Sequence, residues 1–216
     1  MSLATYNKKR NFRNTSEPVG KLAKEDQLRF VVQRHHASHI HYDFRLEMHG
    51  VLLSWAVPKG PSLNAADKRL AMHVEDHPVS YINFEGTIPE GNYGAGTVEV
   101  WDHGSYIPIN EKGETISEKL AYEMYKKGSL KVVLKGKKLK GEFALVNMKK
   151  DDGKSWLLIK HKDEHAVTEK YNAEDLSKNK KKEERKQKKP TAKKTVKKKA
   201  TLKKKDQPMS SATRLS

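Results

Sequence analysis

No cysteine occurs among the 216 residues, so neither a disulfide nor a thiolate metal site can form, and any metal ion must be held by histidine or carboxylate. A cysteine-free composition also fits a reducing compartment. No stretch approaches the ~20 apolar residues of a membrane span, and Met1 to Arg13 lacks the apolar centre of a signal peptide. The chain is therefore expected to be soluble and cytoplasmic, with no membrane partner. No internal repeat is visible, which excludes solenoid architectures.

Acidic residues are the other shortage. Asp and Glu number 27 against 44 Lys and Arg, a formal net charge of +17. The excess is uneven: residues 172–216 hold 15 Lys and 2 Arg against 5 acids, a net of +12, which leaves +5 for the rest. Runs such as Lys197-Lys198-Lys199 and Lys203-Lys204-Lys205 come with almost no large apolar side chains. Such a segment cannot bury enough surface to offset its ordering entropy, so residues 168–216 are expected to form a disordered tail. A lysine tail is either a solubilising extension or a tether that holds nucleic acid by counterion release. The phosphate-seeking residues of the folded part favour the tether.

Residues 1–28 show no clear period and are expected to form an arm, ahead of one domain over residues 29–167. Arg29 to Gln33 is β-prone, His41 to Glu47 alternates, and Val51 to Val57 is an almost unbroken apolar strand. Met48-His49-Gly50 between the last two predicts a hairpin. Pro58-Lys59-Gly60-Pro61 breaks the pattern, a strand resumes at Arg69 to Glu75, and Gly86 to Gly96 reads as a structured loop. Thr97 to Asp102 predicts a further strand. Ile116, Leu120 and Met124 predict a helix over Thr115 to Lys127, with Gly128 placed to cap it. Leu130 to Leu134, Lys140 to Val146 and Trp156 to Lys160 complete the strands. The result is a mainly β fold, a compact antiparallel barrel or closed sheet.

The chemistry-bearing residues follow strand periodicity. One face of His41 to Glu47 carries His41, Asp43, Arg45 and Glu47, while Tyr42, Phe44 and Leu46 occupy the other. His35 lies just upstream, across a short Ala37-Ser38 turn. A second strand repeats the idea, period two placing His73, Glu75 and His77 together. If the two faces meet, the enclosed volume is polar, which is costly unless its groups bind ions or each other. His35, His41 and Asp43 offer two imidazoles and a carboxylate, a sound ligand set for Mn²⁺, Zn²⁺ or Fe²⁺. Arg45, Lys59 and Arg69 are cations suited to a phosphoryl group, and His77 could donate a proton or hold an oxygen. A lone histidine is usually structural. Three histidines, a carboxylate and three cations interleaved at strand spacing argue for a site. The remaining histidines carry no assignment, and the Gly-rich stretch Glu90 to Gly96 is read as structural.

The run from Phe30 to Glu47 resembles the 3′-phosphoesterase domain of bacterial DNA ligase D. Ser54 to Pro61, Val74 to Pro78 and Phe84 to Gly91 are similar to it as well, and the likeness covers roughly Arg10 to Asp163. The resemblance implies a small antiparallel β-barrel with a polar interior, flanked by short helices. It also implies Mn²⁺-dependent action (Co²⁺ or Zn²⁺ being alternatives) on primer–template DNA. A 3′-terminal ribonucleoside would be removed first, then the 3′ phosphate, leaving a 3′ hydroxyl for end joining. It implies metal ligation by His35, His41 and Asp43, with Arg45, Lys59, Arg69, His77 and Tyr81 around the scissile phosphate. Gln33 and Glu75 support them, and Arg10 and Glu17 help bind the substrate end. Asn11 stands where the family usually has aspartate. No ligase or polymerase motif follows, so the chain resembles a stand-alone, monomeric version that would work with a separate DNA ligase or polymerase.

Two other classes fit parts of the pattern. His41-x-Asp43 with a distant His77 matches the facial triad of non-haem iron oxygenases, although three cations would crowd such a site. A non-catalytic nucleic-acid-binding module would leave the acids beside the histidines unexplained.

Overall fold

The computed structural model describes residues 3–21 and 27–175. The stretch from residue 176 onward, on which most of the tail expectation falls, lies outside them. Strands β1 (Arg29–His36), β2 (Ile40–Met48), β3 (Val51–Val57) and β4 (Lys68–Pro78) are followed by β5 (Gly86–Ile88) and β6 (Gly96–Ile109). The series ends with β7 (Ser129–Gly136), β8 (Lys140–Asn147) and β9 (Ser155–Lys160). The order β1-β2-β3-β4-β9-β8-β7-β6 closes on itself through a β1–β6 pairing, giving an eight-stranded antiparallel barrel with β5 added on β6. Two short helices, α1 (Ala4–Lys8) and α2 (Glu118–Lys126), flank it, with a 3-10 turn at Val79–Asn83. No helix among the described residues is long and apolar enough to cross a membrane.

The β2–β3 hairpin turns on His49 (φ 50°) and Gly50 (φ 78°), two successive left-handed residues between the paired Met48 and Val51. That is the geometry a two-residue loop needs to match strand twist. Gly128, at φ 91°, ends α2 as expected. The helix begins later than its spacing predicts, at Glu118, because Ser117 accepts a hydrogen bond from the Leu120 N–H. Leu120 is exposed and α2 buries Ala121 instead. The Gly86 to Gly96 loop contains β5, and β6 runs to Ile109 because it pairs with β1 along its first part and β7 along its last.

The barrel and its short helices are as expected, but its polarity is distributed differently. Phe30, Val32, Phe44, Leu46, Trp55, Val132, Leu134, Phe143 and Leu158, from strands all round the barrel, form one apolar cluster inside it. The polar alternates of β1 and β2 therefore face outward, where α1 and the 3-10 turn cover them. A second apolar cluster there joins Tyr6 to Val31, Leu52, Tyr81 and Phe84.

The chain also packs beyond Val167. Ala173 is fully buried, and Glu174 takes a bidentate pair from Arg34 (2.7 Å each) and a 2.5 Å hydrogen bond from the Tyr42 hydroxyl. The Arg34 hydrogen bond holds the Glu174 carboxyl down, to about 2. The boundary expected at residue 167 is therefore too early, since a polar segment can dock through charge-assisted bonds that hydropathy does not register. The test compares truncation after Asp175 with truncation after Val167. The shorter chain should be less stable than the longer by about 2 kcal/mol, read by urea denaturation at neutral pH. Equal midpoints for the two truncations would refute the clasp.

Candidate active site

β1 and β2 bring the predicted ligand set together by register alone. His35 pairs with His41 and Gln33 with Asp43 across the ladder, so the three ligand-type side chains project from one face of adjacent strands. His35 Nδ1 and His41 Nε2 each lie 3.7 Å from an Asp43 carboxylate oxygen, and the imidazole centres are 4.7 Å apart. One donor atom from each residue falls within 4.8 Å of the others, a group that could hold a metal ion. The fit has an independent sign: His35 Nε2 is buried without a hydrogen-bond partner. A buried imidazole nitrogen left bare is costly unless something ligates it.

Arg45 organises the floor. Its guanidinium donates to Asp43 (3.1 Å), to the Gln33 side-chain oxygen (2.8 Å) and to the Ser54 hydroxyl (2.8 Å). Gln33 in turn donates to the carbonyls of Tyr81 and Phe84, tying the 3-10 turn to the barrel. Burial alone would raise the Asp43 carboxyl, but Arg45 and the two imidazoles outweigh it and hold it well below the usual carboxylate range. Asp43 is thus a permanent anion.

The opposite wall comes from β4 and the arm. Between β3 and β4 the register slips, Ser54 facing Val74 while Leu52 faces His77, which inserts one extra residue in β4. This bulge corrects the period-two expectation. His73 is turned into the barrel, against Trp55 and Trp156 and bonded to the Tyr125 hydroxyl at 2.9 Å. Only Glu75 and His77 reach the cleft. Arg10 crosses from the arm to donate to Glu17 (2.8 Å) and Glu75 (3.1 Å), with Nη2 3.0 Å from His77 Nε2. His77 Nδ1 lies 2.9 Å from the Glu75 carbonyl. A carbonyl only accepts and a guanidinium only donates, so His77 carries its proton on Nδ1 and presents a lone pair from Nε2. Burial first, then the charges of Arg45 and Arg10, keep the ring neutral by pulling its pKa well below 6.5. Tyr81 donates to Glu17 (3.2 Å), and its ring lies 5.0 Å from the Arg45 guanidinium.

Arg10, His35, His41, Asp43, Arg45, Glu75, His77 and Tyr81 thus border one cleft of about 290 Å³. Gln33 and Glu17 support it from behind. Lys59 and Arg69 do not border it, contrary to expectation. Lys59 is exposed in the turn after β3, and Arg69 is drawn to Asp67 (2.7 Å) and the Tyr171 carbonyl (2.9 Å). Arg69 thus helps hold the C-terminal segment. Asn11 is exposed in the arm and accepts from the Arg13 N–H. Three neighbours of the site escaped the sequence reading. Ser54 sits in an apolar strand and shows only as a polar interruption. Lys9 and Tyr93 meet Glu75 at the cleft mouth from segments with no period to mark them.

Fold and site together define a closed β-barrel protein whose outer cleft sets a group that could hold a cation beside guanidinium, a combination suited to phosphate-ester chemistry. The sequence then specifies the family. The family model for the DNA ligase D 3′-phosphoesterase domain matches residues 33–147, and the chain belongs to that family. It is 48% identical over 168 residues to the multifunctional non-homologous end joining protein LigD of Pseudomonas aeruginosa, covering 76% of this chain and 19% of that protein. It is 44% identical to the protein of the same name from Mycolicibacterium smegmatis, covering 75% and 21%. The LigD of Mycobacterium tuberculosis H37Rv is 41% identical, covering 75% and 20%. The chain therefore spans about a fifth of the length of these relatives.

Proposed function

We propose that the chain is a metal-dependent DNA 3′-phosphoesterase that prepares broken ends for non-homologous end joining. It would remove a 3′-terminal ribonucleoside and then the remaining 3′ phosphate, leaving a 3′ hydroxyl. The observation that carries this reading is the buried His35 imidazole, its Nε2 bare and its Nδ1 3.7 Å from an Asp43 carboxylate kept anionic by Arg45. His35, His41 and Asp43 would hold the ion, Mn²⁺ by preference and Co²⁺ or Zn²⁺ as alternatives. When bound, it supplies Lewis-acid polarisation of a phosphoryl oxygen.

The protein's own groups do the rest. Arg45 is fixed by three hydrogen bonds and offers its charge to the developing phosphoryl oxyanion without reorganisation. Arg10 can exchange its bond to His77 for one to a substrate oxygen. His77, with its lone pair facing the cleft, is set to accept a proton from water or a 2′ hydroxyl. It becomes a donor only after taking that proton. The double function of the arm, closing the cleft and supplying Arg10, makes it the element that senses the strand end. A bacterial cytoplasmic setting and cooperation with a DNA ligase or polymerase go with this reading.

The test uses a 5′-labelled primer–template ending in one ribonucleotide, incubated with protein and Mn²⁺. Stepwise conversion to a 3′ phosphate and then a 3′ hydroxyl, abolished by chelator, is expected. Removal of only a ready-made 3′ phosphate would restrict the function to the monoester step and implicate the arm at Asn11. No product with any divalent metal would reject the enzyme reading.

A further inference from the structure

One ring at the cleft plays no part in the chemistry above. Tyr93, in the loop between β5 and β6, borders the cleft mouth and is 48% exposed. Every other tyrosine, phenylalanine and tryptophan among the described residues is buried or half-buried. The single ring left open to water is thus the one at the site. Its position is fixed rather than loose. Lys9 Nζ lies 3.0 Å from its hydroxyl and 4.4 Å from the ring centre, and the same ammonium is paired to Glu75 at 3.1 Å. Gly91 (φ 83°) and Gly94 (φ 76°) flank it, and the left-handed backbone at both lets the tight loop hold the ring outward.

We propose that Tyr93 is the stacking platform for the base of the nucleotide whose 3′ oxygen carries the reacting phosphate. The proposal rests on the phosphoesterase reading and adds a base subsite to it. A phosphate held beside Arg45 leaves its attached base outside the polar cleft, at the lip where Tyr93 stands. The outer face of a strand's terminal base has no neighbour to stack on, and a planar ring there gains affinity for any base, because every base has a π-face. Lys9, its ammonium over the ring 4.4 Å from the centre, adds a cation close to the adjoining backbone phosphate. The subsite therefore favours a base-bearing end without choosing among bases.

Hydrolysis of a 3′-phosphate primer, with a normal or an abasic terminal nucleotide, tests this in wild type, Tyr93→Ala and Tyr93→Phe. Tyr93→Ala is expected to raise KM roughly tenfold on the base-bearing end with kcat unchanged. Tyr93→Phe should match wild type, and on the abasic end all three proteins should share one KM. The same order is expected for binding of a fluorescent 3′-phosphorylated strand without added metal. An equal loss for Tyr93→Ala on both ends, or a Tyr93→Phe variant as weak as Tyr93→Ala, overturns the stacking role. Absence of wild-type turnover on either end overturns the phosphoesterase reading and this inference with it. Turnover with a KM indifferent to Tyr93 overturns the inference alone.

Discussion

Replacing Asp43 with alanine is expected to abolish removal of both the 3′-terminal ribonucleoside and the 3′ phosphate, and to lower stability by about 3 kcal/mol. Replacing His41 with alanine is expected to abolish the same activity while costing about 1 kcal/mol or less. The activity losses agree because both residues belong to one group, spanning less than 5 Å, that could hold the ion. The stability losses differ because the residues sit differently. Asp43 is buried and, among the described residues, is the only carboxylate bonded to the Arg45 guanidinium, so its removal leaves a buried cation with neutral partners, Gln33 and Ser54. The His41 side chain is 24% exposed at the rim, and its hydrogen bond to the His39 carbonyl is readily replaced by water. Urea denaturation reads the stability, single-turnover assays at saturating Mn²⁺ the activity, and calorimetric titration the loss of Mn²⁺ binding. Wild-type rates in either variant would refute the ligand assignment.

Most of this site is legible in the sequence because it is built on strands. Alternation in His41 to Glu47 separates the cleft-facing side chains His41, Asp43 and Arg45 from the core side chains Tyr42, Phe44 and Leu46. The register that joins His35 to His41 follows from a short turn. What stays illegible has physical causes. The bulge in β4 changes which side chains share a face, and no single-sequence signal marks one extra residue, so in sequence His73 reads as equivalent to His77. A charge pattern does not reveal whether a cation finds a nearer partner: Arg69 finds Asp67, two residues away, outside the cleft. The closed barrel is implied by the number of strands. That its apolar side faces inward and its chemistry outward depends on the arm and the 3-10 turn being available as a cover. Those segments have no period, and only their contacts explain why Tyr6 is buried.

The arm's importance sets the second large effect. Arg10→Met is expected to lower stability by about 3 kcal/mol and turnover by roughly a hundredfold, because one guanidinium compensates two buried carboxylates. Glu17 has a fully buried side chain and depends on Arg10 for its only cation partner among the described residues, while Glu75 retains Lys9. The variant should also change the acid side of the stability curve. His77 has its folded pKa depressed below 6.5 by burial and by Arg45 and Arg10, with Asp43 opposing. The unfolded chain therefore takes up a proton that the folded chain refuses. Stability contributed in this way is complete above about pH 6.5 and is lost as the pH falls below it. Without Arg10 the folded imidazole accepts the proton more readily, so the decline between about pH 6.5 and 5 should be shallower in Arg10→Met than in wild type. His73, also depressed by burial, adds the same slope to both proteins and cancels in the comparison. The relaxed Glu75 carboxyl acts in a lower window, below its ordinary 4.5. Urea midpoints across this range separate the two contributions. A parallel decline in the two proteins would show that Arg10 does not set the protonation of His77.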